Sequence, residues 1–209
     1  MMETAALITA FTTLFVIIDP PGLAPLFLAL TQGMTGPQRR AIAIRASLVA
    51  IGILLGFGLF GEALLGFIGI SMPAFRVAGG VLLFLTALDM LFERRQKRRE
   101  DTAEEEEAEP DHDPSVFPLA VPLIAGPGAI ATMILLVGQT EGALGFAALV
   151  AVLLAVMAIN FAFFMASGLI EHALGKTGIN VITRLLGMLL AALAVQFILD
   201  GLRSFGFAA

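Results

Sequence analysis

Among the side chains able to do chemistry, Asp19 stands apart. It lies in Ile17-Ile18-Asp19-Pro20-Pro21-Gly22-Leu23-Ala24-Pro25, inside an apolar run long enough to cross a bilayer. Residues 5 to 18 place it about 20 Å along a helix of 1.5 Å rise, too deep for a short side chain to reach the interface. A carboxylate there can cap a helix, meet a substrate ammonium or carry a coupling proton. Other chemistry finds few residues. There are no cysteines, and His112 and His172 both fall in loops. The chain has no HExxH, no GxSxG and no phosphate-cradling P-loop. The expectation is therefore a protein that is not an enzyme and holds no metal or cofactor.

Asp19 needs an unusual element to hold it. Proline in a helix interior removes a backbone hydrogen bond and clashes with the preceding turn. In hydrocarbon the freed groups must be satisfied by protein or by a water-filled cavity. Asp19, Pro20, Pro21 and Gly22 thus predict a break between two half-helices, with Asp19 as N-cap of the second. A second apolar run carries Leu123-Ile124-Ala125-Gly126-Pro127-Gly128-Ala129-Ile130. Setting Pro21-Gly22 on Pro127-Gly128 pairs Ile17-Ile18 with Leu123-Ile124 and Asp19 with Ala125. Further on, Arg76-Val77-Ala78-Gly79 resembles Arg184-Leu185-Leu186-Gly187, and Pro21 to Arg76 spans 55 residues where Pro127 to Arg184 spans 57. Two halves that each open with a broken helix are the pattern of an internally repeated transporter.

Composition agrees. Of 209 residues 58% are hydrophobic and only 14% charged, with a mean hydropathy of +0.96. A soluble domain is about a quarter charged. Six spans follow, near residues 5–30, 41–68, 71–92, 117–137, 143–170 and 179–202. The first and fourth are broken at mid-membrane, and Ser71 is placed to cap the third. Gly52 and Gly56, four apart in the second span, mark an expected close helix approach, as do Gly187 and Ala191 in the sixth. Alanine stripes fill the fifth span, whose one strong polar group is Asn160. Glu171 to Gly178 reads as a polar loop. Residues 93–113 hold ten of the 17 acids and five of the 12 bases, which leaves the rest neutral. That block of charge predicts disorder. Its basic half suits anionic headgroups, and with no stacking aromatic beside it nucleic acid is not an expected partner.

Lys and Arg concentrate in the loops after spans one, three and five. The positive-inside rule then puts both termini outside and the charged loop in the cytoplasm. Three spans per half is odd, so the halves insert upside down relative to one another. The expected architecture is an all-α membrane protein: repeat one over 1–92, a linker over 93–114 and repeat two over 115–209. Glu62 with Arg76, and Arg45 with Asp89, are expected as structural ion pairs near the span ends; Arg184 and Asp200 lie near the interfaces.

Asp19-Pro20-x-Gly22-x-x-Pro25, followed by an apolar run to Thr31, resembles the first-helix motif of the MarC family of six-span bacterial inner-membrane proteins. The stretch from Pro118 to Ile130 is similar to that family's second signature. The likeness covers essentially the whole chain. It implies a transporter, with small neutral amino acids such as glycine and alanine as the substrate class. The residues themselves lead only to secondary transport of a small zwitterion, with candidate binding residues Asp19, Pro20, Pro21, Gly22, Ala125, Gly126, Pro127, Gly128, Ala129 and Asn160. Asp19 is also the candidate coupling-ion site, with a proton favoured over sodium. Half-helix N-termini favour the substrate carboxylate, and the Gly and Ala around the breaks suggest a small ligand. An exporter of drugs or other metabolites, and a non-transporting scaffold docking through residues 93–113, are the alternatives. The bilayer is an expected partner, and homo-oligomers are compatible with the sequence. Asp19→Asn, which keeps the cap, is expected to fold and lose gradient-driven uptake.

Overall fold

The computed structural model describes residues 4–107 and 113–206, and every regular element among them is helical. Helices α1 (Thr4–Ile18) and α2 (Pro20–Leu30) form the first span. Next come α3 (Gly36–Ile68), α4 (Met72–Leu91) and the charged α5 (Arg94–Glu107). A wide-turn segment, Ser115–Ile124, leads into α6 (Pro127–Val137), α7 (Gly142–Met165) and α8 (Ser167–Ser204). Among the described residues, five stretches are long and apolar enough to cross a membrane. They become six if Ser115–Ile124 and α6, bent by 59°, count as one span. This is a multi-pass integral membrane protein.

The broken first span is the centre of the bundle. Its most apolar window is 78% buried, against 28% in each of the other four long spans. A helix apolar all round can bury every face only at the middle of a bundle. The outer spans instead turn side chains such as Phe60, Phe67, Leu144 and Leu169 outward, where lipid covers them.

Glycines set the closest helix contacts, though not at Gly52 and Gly56. A Cβ at either would stand in open space. In α3 the contacts belong to Gly58 and Gly61, where a Cβ would meet Met133 and Val137, and Ile134, of α6. The α4–α8 pair is the most extensive in the fold. A Cβ on Gly80 would lie 2.8 Å from the Ala194 carbonyl oxygen, and one on Gly187 3.2 Å from that of Ala87. Gly187 thus makes the close approach expected of it. Ser71 caps α4, its hydroxyl accepting from the Ala74 N–H at 3.3 Å.

Three expectations are corrected. Residues 94–107 form a helix where a disordered stretch was expected. Glu, Arg and Lys are good helix formers, but bases at the start and acids at the end oppose the helix dipole. Docked side chains must therefore hold α5 in place. The polar stretch 171–178, expected as a loop, is helical except at Gly175 (φ 59°, ψ 177°), whose non-helical backbone divides α8 into two helices there. Ion pairing also differs. Arg45 pairs with Asp113 at 2.7 Å, Asp89 with Arg98, and Arg184 with Glu93 at 2.8 Å. Among the described residues no ion pair joins Glu62 to Arg76, whose Nε is buried without a partner. Asp113 of the charged segment thus takes Arg45, which was expected to pair with Asp89, and Glu93 takes Arg184.

Candidate functional site

The first break is a single residue wide. Asp19 has φ 60° and ψ 62°, the left-handed conformation. Most residues resist it, but Asp tolerates it because its short side chain bonds locally. Here the Gly22 N–H donates to Asp19 Oδ1 at 3.2 Å, and Pro20 fills the first turn of α2. The expected cap is present. A Cβ on Gly22 would lie 2.2 Å from Asp19 Oδ2, so a side chain there must displace the capping carboxylate.

Asp19 is fully buried and its carboxylate is matched from α5. Arg99 Nη1 donates to Asp19 Oδ2 at 3.1 Å, and the Thr183 hydroxyl of α8 lies 3.4 Å from Oδ1. Arg99 Nη2 also donates to the Ile18 carbonyl at 3.3 Å, and Arg95 donates to the Ile17 carbonyl. These are carbonyls that the end of α1 leaves without helical partners, at the negative end of its dipole. Two guanidinium groups therefore sit where charge and hydrogen-bond geometry both call for a cation. Burial lowers the pKa of both, Arg99 further lowers that of Arg95, and Asp19 opposes the shift in each. Arginine keeps its proton under such pressure.

The second break is built differently. Phe117 and Val121 are extended (φ −127° and −131°), as residues before proline prefer. Around them the chain makes wide turns, closed by the Leu119 N–H to the Pro114 carbonyl at 3.2 Å and the Ala125 N–H to the Ala120 carbonyl at 2.9 Å. Gly126 then takes the N-cap position of α6 with no side-chain bond to the first turn. Helix starts correspond at Pro20 and Pro127, so the partner of Asp19 is Gly126, one residue beyond the Ala125 of the sequence alignment. Both α2 and α6 have 11 residues.

The breaks meet at Ile17, whose Cδ1 lies 2.9 Å from where a Gly128 Cβ would be. Beside them is a cavity of about 600 Å³. Gly126, Pro127, Gly128 and Ala129 form one wall, and Arg94, Arg95, Arg98 and Arg99 of α5 another. Asp89, Thr86 and apolar residues that include Leu82, Leu85 and Leu123 also line it. The volume exceeds what the Gly- and Ala-rich breaks suggested for a small ligand.

The candidate residues fall into three groups. Asp19, Pro20, Pro21 and Gly22 are buried in packed protein, with Arg99 between Asp19 and the cavity. Gly126 to Ala129 line the cavity, with Ala125 buried just before them. Asn160 stands apart on α7, outside the cavity lining, with both amide atoms buried and unpartnered. One turn later Phe164 stacks on Phe27 of α2, ring centroids 4.5 Å apart. Sequence reasoning missed Arg95, Arg99 and Thr183. A signal existed for the arginines: positions 94, 95, 98 and 99 repeat at helical spacing, and a buried acid needs a counter-charge.

The model of the MarC family integral membrane protein matches residues 4–205. The chain belongs to the MarC family. It is 40% identical to the UPF0056 membrane protein YvbG of Bacillus subtilis, over 97% of this chain and 96% of that one. A UPF0056 membrane protein of Methanocaldococcus jannaschii is 37% identical over 97% of this chain and 98% of its own. The UPF0056 inner membrane protein YhgN of Escherichia coli K12 is 34% identical, over 94% of this chain and 96% of its own. No solved structure matches.

Proposed function

We propose that this MarC member is a secondary transporter of small neutral amino acids of the glycine and alanine type, coupled to protons and without enzymatic activity. The observation that carries the reading is the pair of breaks meeting at Ile17, one holding a buried carboxylate and the other bordering a cavity. Broken helices at the centre of a bundle are how transporters place half-helix ends against a substrate and its coupling ion. The two three-helix halves are inverted repeats, both termini lie outside in the inner membrane, and α5 lies on the cytoplasmic side. In the state described, Arg99 occupies the Asp19 carboxylate. A proton or a substrate ammonium reaches Asp19 by displacing Arg99, so that loading the site and releasing α5 are one event.

Uptake of labelled glycine and alanine into proteoliposomes, with and without a proton gradient, tests this. Gradient-driven accumulation is expected, and Asp19→Asn should abolish it. Absence of both uptake and counterflow for every small amino acid overturns the reading. Reporter fusions test the orientation, and a fusion that puts α5 outside the cytoplasm refutes it.

A further inference from the structure

The charge and size of the cavity say more about its ligand than the breaks do. Of its four arginines, Arg99 is matched by Asp19 and Arg98 by Asp89. Arg94 and Arg95 make no ion pair within the described residues: Arg94 lies over the Phe92 ring, and Arg95 bonds the Ile17 carbonyl and Met90 Sδ. The cavity therefore has cationic groups in excess on one wall. The same cavity is lined by the first turn of α6, whose N–H groups have no side-chain cap and whose dipole is positive at that end. Guanidinium forks and helix N-termini favour the same partner, a carboxylate. Apart from Thr86 and Asp89, which pairs with Arg98, the remaining lining is apolar and includes Ile17, Leu82, Leu85, Leu123 and Ile124. At about 600 Å³ the cavity would be mostly water around a glycine. Its size falls instead in the range of organic-ligand pockets.

We infer that this cavity binds aliphatic monocarboxylates, with the carboxylate between the α5 arginines and the start of α6 and the chain on the leucines, so that the amino group is dispensable. The inference rests on the transport reading only in calling that ligand a substrate. It makes α5 part of the binding site, where the sequence had suggested a linker. Arg94 contacts the carboxylate directly or through water, and Arg98 adds its guanidinium from its pair with Asp89; Arg95 and Arg99 hold α5 against the first break and keep the wall in place.

The test is isothermal titration of the purified full-length protein in detergent. The ligands are L-leucine, 4-methylpentanoate (the chain and carboxylate without the amine), L-leucinamide (the chain and amine without the carboxylate) and glycine. Leucine and 4-methylpentanoate should bind with similar affinity. Leucinamide should be weaker by about tenfold or more, the scale of one lost charge-assisted contact, and glycine weaker than leucine. Arg94→Gln with Arg98→Gln should cost the carboxylates about tenfold or more, and Lys176→Gln, outside the cavity, should change nothing. If the double variant does not fold, Arg94→Gln alone, at an exposed position, should still weaken leucine, and Arg94→Lys should weaken it less. Leucinamide binding as well as leucine, glycine binding more tightly than leucine, or arginine variants binding like the parent would each overturn the inference. The two readings fail separately. Leucine binding without uptake of any small amino acid removes the transport reading and leaves the site. Glycine uptake without binding of any larger carboxylate removes the site and leaves the transport reading.

Discussion

The two breaks each lead into an 11-residue helix that opens on proline, and they solve the same backbone problem in opposite ways. At the first, one residue in the left-handed conformation turns the chain. Its carboxylate caps α2, and arginines from a distant helix satisfy the carbonyls left over from α1. At the second, extended residues before prolines and wide turns spread the problem over ten residues, the chain bends by 59°, and α6 begins on a glycine with no side-chain cap. A break closed by side chains, its own and those of a docked helix, is packed and charge-matched. One left uncapped keeps backbone donors available beside a cavity. The first thus holds a buried charge, and the second borders open space.

The largest effect should come from the charge at the first break. Asn caps a helix about as well as Asp, so Asp19→Asn removes the charge and spares the cap. It leaves Arg99, 6% exposed, without a counter-ion. Stranding one partner of a buried pair costs about 3–5 kcal/mol. The structure therefore revises the expectation that Asp19→Asn folds normally: it should unfold well before the parent in a thermal or denaturant titration in detergent. Arg99→Gln should cost a similar amount. The double variant Asp19→Asn with Arg99→Gln should regain most of the loss, because no lone buried charge remains. A double variant as unstable as the sum of the singles would break the comparison, since Asp19 and Arg99 would then act independently.

Next in size is Gly126→Ala. A Cβ there would lie 2.6 Å from the Pro122 carbonyl oxygen, a backbone atom that cannot swing aside. Overpacking of this kind costs about 1–3 kcal/mol, and it should appear as a lower unfolding midpoint with the helix content kept. Gly22→Ala at the first break should cost less, about 0.5–2 kcal/mol. Its Cβ would collide with the Asp19 side chain, which can rotate away at the expense of the cap. If Gly22→Ala proves worse than Gly126→Ala, Asp19 is held more rigidly by Arg99 and Thr183 than the cap alone requires.

Both breaks were legible in the sequence, because proline and glycine inside an apolar run have few structural meanings. The capping role of Asp19 and the helix start at Pro20 follow from side-chain chemistry over a few residues, which a sequence displays directly. The partners of Asp19 do not. Arg99 lies 80 residues away in a segment whose composition reads as solvated charge, and only the fold brings it to the first break. Composition describes what a segment does alone, and α5 is held by contacts it makes elsewhere. The error over Gly52 and Gly56 is of another kind. A small-residue pair permits close approach without requiring it, and the facing surface of α6 selected Gly58 and Gly61 instead. Asn160 was legible as an isolated polar group, but not that it would stand apart from the cavity.

The smallest effect separates stability from function at the point where the breaks touch. A Cβ on Gly128 would lie 2.9 Å from Ile17 Cδ1 and 3.7 Å from Thr86 Oγ1. The near atom is the far end of a flexible side chain, so Gly128→Ala needs only a rotation of Ile17. Alanine is also a better helix residue than glycine, by up to about 1 kcal/mol. The two terms oppose each other, and the unfolding midpoint should move by less than about 1 kcal/mol in either direction. The displaced Ile17 end is itself part of the cavity wall. Ligand binding should therefore fall measurably in the titration described above while stability stays near the parent. Equal binding in parent and Gly128→Ala would mean that the contact between the breaks is packing alone, and that the ligand lies farther along the cavity toward Leu85.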